Sequence, residues 1–110
     1  MLKQKTPSAH AHQALTATQI IAKLGQLPSW KLSGDGADVA IERTFQLAGF
    51  LETMAFVNAV AYIAQRHNHH PELRVSFNRC SVRWQTHDVH GISQADFDCA
   101  ARVDALVSPE

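Results

Sequence analysis

The chain has 110 residues, enough for one domain that buries roughly two-thirds of its unfolded surface, so a core without disulfide staples is expected. Hydrophobic residues at 45% and charged residues at 18% exclude a disordered chain, and ten Lys and Arg against ten Asp and Glu argue against a broad electrostatic grip on nucleic acid or anionic lipid. No apolar run nears the roughly 20 residues that span a bilayer, the polar start lacks the apolar stretch of a secretory signal, and Cys80 and Cys99 form no CxxC pair, so a reducing cytoplasm is the expected compartment.

Residues 1–14 contain Pro7, small residues and no hydrophobic period, and are expected to form a mobile tail ahead of a domain over 15–110. Thr16 or Thr18 can cap a short helix carrying Ile20, Ile21 and Leu24, stopped by Gly25 and Pro28. Trp30 to Leu32 reads as a short strand, and Ser33-Gly34-Asp35-Gly36 as a turn. Residues 38–47 alternate: Val39, Ile41, Phe45 and Leu47 share one side, with Arg43 the intruder, and a half-buried antiparallel strand is expected.

From Gly49 to His67 the period becomes helical. Phe50, Met54, Val57, Ala61 and Ala64 make one apolar stripe, expected on the sheet, and Phe56, Val60 and Ile63 a second, expected against a second subunit. Pro71 ends this helix and biases His70 toward extended backbone. Val75 and Phe77 suggest a third strand. Cys80, Val82, Trp84 and Thr86 alternate as a fourth, with His87 on its polar side. Ser93 with Asp96 has capping-box spacing, and the last helix is expected to run to about Leu106, with Phe97, Ala100, Val103 and Val107 inward. The expected fold is α+β in the order α-β-β-α-β-β-α, a four-stranded antiparallel sheet with helices on one face.

Seven histidines are unusual for this length, and five fall between His67 and His90. His67 and His70 can share a helical face, yet there is no HExxH and no cysteine at ligand spacing, which disfavours a metal site. A nucleophile is disfavoured too: there is no GxSxG elbow, and Cys80 alternates with core residues. Imidazoles titrate near neutrality, so a pair can hold an acid and a base at once, and His69, His70 and His87 sit at the ends of packed elements. An exposed histidine-rich loop accounts for the same composition.

The local strings go further. Ala64-Gln65-Arg66-His67-Asn68-His69-His70-Pro71-Glu72 is followed by Phe77-Asn78-Arg79, Thr86-His87-Asp88, Gly91-Ile92-Ser93 and Asp96. With Trp30, Arg43, Phe45 and Phe50 upstream, this series resembles the pterin-4a-carbinolamine dehydratase family over about residues 15–107. The resemblance implies a hydro-lyase without metal or organic cofactor. Its substrate would be the 4a-hydroxytetrahydropterin released by aromatic amino-acid hydroxylases. It also implies His69 and His87 as the acid–base pair and His70 as an orienting residue. Asn68, Pro71, Gln85, Thr86 and Asp88 would line the pocket of a homodimer or homotetramer, with no nucleic acid or membrane partner. Gln65 stands where the family pattern has Glu; an amide keeps a hydrogen bond there but supplies no charge. A non-catalytic pterin-binding or protein-assembly scaffold is the alternative.

Overall fold

A computed structural model describes residues 12–107, so the expected tail lies outside the described residues over 1–11. Thr16 caps the first helix, α1 (Ala17–Leu24): its hydroxyl accepts from the Gln19 N–H at 3.1 Å while the Gln19 side chain accepts from the Thr16 N–H at 2.9 Å. The chain continues through β1 (Lys31–Ser33), β2 (Ala40–Gln46), α2 (Phe50–His67), β3 (Glu72–Ser76), β4 (Arg79–Trp84) and α3 (Gln94–Asp104). The four strands form one antiparallel sheet in the order β1-β2-β4-β3, and the predicted element order holds. Gly34 makes the turn after β1 at φ 77°, where an added Cβ would run into the Asp38 carbonyl oxygen.

The register sorts the strand faces. Ile41 pairs with Trp84, Phe45 with Cys80, and Leu73 and Arg43 both with Val82, so one face carries the apolar residues. Together with Phe56, Val60, Phe97, Ala100 and Val103 from α2 and α3, it builds the core. The opposite face is polar, with Lys31, Glu42, Arg83 and Glu72 alternating in sign across the strands. Arg43, on the apolar face, is satisfied there: its guanidinium donates to Asp104 of α3 at 2.6 Å and lies over the Phe45 ring, while Trp30 Nε1 donates to the same carboxylate oxygen at 2.8 Å.

Four expectations change. The stripe Phe56, Val60 and Ile63, assigned to a second subunit, is the inward side of α2: Thr53, Phe56, Val60 and Ala64 are buried, whereas Phe50 and Ala61 are exposed. Thr53 tilts the choice, because its hydroxyl donates to Gly49 O at 2.8 Å and Phe77 O at 3.1 Å and can therefore be buried without penalty. Phe77 sits in the β3–β4 turn, exposed, rather than in β3. The fourth strand ends at Trp84, so Thr86 and His87 lie beyond it, and α3 ends at Asp104 with Val107 exposed. Among the described residues no helix is long and apolar enough to cross a membrane.

Candidate active site

The end of α2 gives the two adjacent histidines different burial. Asn68 takes the left-handed conformation (φ 49°, ψ 44°), which Asn tolerates better than most side chains. Its N–H and that of His69 close back on Gln65 O and Ala64 O at 3.3 and 3.1 Å. The reversal turns His69 into the protein, where it is 7% exposed, and leaves His70 exposed before Pro71.

His69 is held from two sides. Its ring stacks on Trp84, with centroids 5.5 Å apart and planes 7° from parallel. Its Nε2 lies 2.5 Å from Oδ1 of Asp96, which is completely buried at the start of α3. The other oxygen, Oδ2, accepts from the Ser93 N–H at 2.9 Å and from the Thr86 hydroxyl at 2.7 Å. One carboxylate thus caps α3 and fixes an imidazole 27 residues earlier in the chain. An acceptor at Nε2 places the ring proton there, and among the described residues Nδ1 has no hydrogen-bond partner. A ring fixed this way can give or take a proton only through Nδ1.

A cleft of about 450 Å³ is lined by His12, Asn68, His69, His70, Pro71, Gln85, His87 and Asp88. A smaller cavity of about 120 Å³ adjoins it, sharing His70, Pro71, Gln85 and His87 and adding Glu72 and Arg83. Seven of the residues expected from the sequence therefore come together. Thr86 does not line the cleft; it is buried behind it, tied to Asp96 and to Ser93 Oγ at 2.7 Å. Gln65 stays outside as well: its side chain is exposed and makes no hydrogen bond to His69, His70 or His87. Gln85 is pinned through its amide nitrogen to the carbonyls of Val39 at 2.9 Å and Ala37 at 3.2 Å. His87 opens a one-turn 3-10 helix, His87–Val89, held by an N–H bond from His90 to the His87 carbonyl at 3.0 Å. Its side chain is exposed, not locked at a strand end.

Sequence reasoning missed His12 and the partnership of Asp96. His12 lies in the stretch expected to be tail, yet its Nδ1 is 3.2 Å from each Asp88 carboxylate oxygen. That hydrogen bond is the main reason the Asp88 carboxyl is held below its ordinary range. Asp96 carried a signal, but its capping position already explained it. Both cysteines are buried, and burial raises their thiols, Cys99 to about 11, which leaves them inert as nucleophiles.

The family model described as pterin 4 alpha carbinolamine dehydratase matches residues 13–106. A relative from Paracidovorax citrulli, named "Putative pterin-4-alpha-carbinolamine dehydratase", is 56% identical over 108 residues, covering 98% of this chain and 93% of its own length. One of the same name from Stenotrophomonas maltophilia is 45% identical over 100 residues, 91% of this chain and 84% of that relative. Among solved structures, a transcriptional coactivator/pterin dehydratase from Brucella melitensis superposes with a TM-score of 0.80 at 28% identity, covering 86% of this chain and 98% of the other. A pterin dehydratase-like protein described as a RuBisCO assembly factor in the alpha-carboxysome shares the fold at a TM-score of 0.62 and 23% identity, over 74% of this chain and 93% of its own. A match over almost the whole chain, carried by close relatives and by the fold, means that the protein belongs to the pterin-4-alpha-carbinolamine dehydratase family.

Proposed function

We propose that the protein dehydrates 4a-hydroxytetrahydropterin to the quinonoid dihydropterin by histidine acid–base catalysis, in recycling of the pterin used by an aromatic amino-acid hydroxylase. The observation that carries this reading is the His69–Asp96 pair, a buried imidazole oriented at 2.5 Å by a carboxylate and facing a cleft that three further imidazoles share. The substrate loses its C4a hydroxyl and its N5 proton. His69 takes the N5 proton at Nδ1, and the Asp96 carboxylate stabilises the positive charge as it forms on the ring. The N–H electron pair becomes the N5–C4a double bond. The C4a–O bond breaks as protonated His87 passes a proton to the departing oxygen, which leaves as water. Proton exchange with solvent resets both rings, and His87, exposed, is suited to it. His70 and Pro71 orient the ring, and Asn68, Gln85 and Asp88 offer polar contacts to the pyrimidinone.

The Gln65 substitution is compatible with this chemistry because the carboxylate beside His69 comes from Asp96. Turnover of freshly generated 4a-hydroxytetrahydropterin, measured against its spontaneous dehydration, tests the reading. A rate above background supports it. Binding of 7,8-dihydrobiopterin with no rate above background would make the protein a scaffold instead.

The same reading includes a homo-oligomer. Leu51, Ala55, Asn58 and Tyr62 recur at helical spacing on the exposed side of α2, with Leu51 78% and Tyr62 62% exposed. Light scattering should give a dimer or tetramer mass, and Leu51→Glu with Tyr62→Glu should reduce it; a wild-type monomer at high micromolar concentration refutes the assembly.

A further inference from the structure

We propose that His12 is a substrate-binding residue that completes the cleft from ahead of α1. The inference rests on the dehydratase reading and extends it to a stretch with no local motif. Two features hold His12 in place. Its Nδ1 lies 3.2 Å from both oxygens of Asp88, and Leu15, three residues on, donates its N–H to the Ile92 carbonyl at 2.8 Å and packs against the core. The His12 ring is 5.6 Å from that of His69, tilted by 55°, and its side chain is only 26% exposed although its partner Asp88 is 68% exposed. A pair that served only the surface would leave both partners in water; here the imidazole is turned inward and lines the cleft with His69, His70 and His87.

The chemistry matches a pterin. Asp88 accepts at Nδ1 of His12, which leaves Nε2 for the cleft, and the carboxylate keeps further acceptor capacity of its own. An imidazole beside a carboxylate thus offers complementary groups to a pyrimidinone, whose edge carries a carbonyl acceptor and amino and ring N–H donors. The groups facing His12 are the Asp88 carboxylate, which accepts at Nδ1, and the His69 ring. Binding a neutral heterocycle by hydrogen bonds needs no proton transfer at His12, so His12 acts on affinity and leaves the proton-transfer step to His69 and His87.

The test uses the full chain with His12→Ala and His12→Gln. A partly exposed pair contributes little to folding, so both variants should melt with the wild type. His12→Ala should raise KM for 4a-hydroxytetrahydropterin and the Kd for 7,8-dihydrobiopterin, measured by calorimetry, roughly tenfold with kcat within about twofold, the effect of one lost charge-assisted hydrogen bond. His12→Gln, which keeps a donor, should recover most of the affinity. Unchanged KM and Kd in His12→Ala overturn the inference, as does a fall in kcat at unchanged KM and Kd. If the wild type binds 7,8-dihydrobiopterin without exceeding the spontaneous rate, the dehydratase reading fails and the Kd ratio alone decides His12. A wild type that does not bind it overturns both.

Discussion

Replacing Asp96 by Asn separates the chemistry of the site from its architecture. The carboxylate accepts three hydrogen bonds: His69 Nε2 on Oδ1, and the Ser93 N–H and Thr86 hydroxyl on Oδ2. An amide has one acceptor oxygen. Kept at the Oδ2 position it still serves Ser93 and Thr86, and the amide nitrogen then faces His69 Nε2 as a donor. His69 must answer by accepting at Nε2, which moves its own proton to Nδ1, the nitrogen left for substrate. The neutral ring loses its base at the only position that can use it. Turnover above background should fall about 10²-fold or more, the usual scale for losing an acid–base group. Stability should drop by about 1–3 kcal/mol for a buried charge-assisted contact, a Tm fall of roughly 5–20 °C for a domain of this size. Ser93→Ala, which removes the hydroxyl bonded to Thr86 and keeps the His69–Asp96 contact, shows how much rate is lost through a loosened α3 terminus alone. Nitrogen-15 shifts of the His69 ring report the tautomer directly. Wild-type turnover in Asp96→Asn, with the His69 ring still protonated at Nε2, would refute the reasoning.

His87→Ala should lower turnover about 10²-fold while leaving Tm within a degree or two, because the ring is exposed; an unchanged rate would remove His87 from the mechanism. Asp104→Ala leaves both Arg43 Nη1 and Trp30 Nε1 without their acceptor against the core and should cost about 1–3 kcal/mol in urea unfolding, with kcat unaffected. The Cys99 thiol is pushed up to about 11 by burial, with Asp96 and Asp98 adding to the shift, so it stays protonated through the neutral range. A disulfide thiol reagent at pH 8 should find it unreactive in the native protein and reactive after denaturation; rapid native labelling would contradict the burial.

Period and punctuation determined most of the architecture. Ile41 and Phe45, and then Cys80, Val82 and Trp84, alternate strictly enough to assign strand faces, and Thr16, Pro71 and Ser93 mark element ends by chemistry that acts within a few residues. His69, His70 and His87 were legible for a similar reason: short strings around them carry the family likeness. The orientation of α2 was not, because a helix with two apolar stripes has no unique inward side. A buried hydroxyl at Thr53 reads as polar until Gly49 and Phe77 are seen to satisfy it. Nor could spacing reveal what His69 touches. Its carboxylate arrives from α3, 27 residues away, only because α3 packs beside α2 and β4, and local spacing had already explained Asp96 as a cap. His12 reaches Asp88 across 76 residues for the same reason. Side chains that meet through the packing of separate elements leave no periodic trace, and in this protein those meetings set the tautomer of His69 and complete the wall of its cleft.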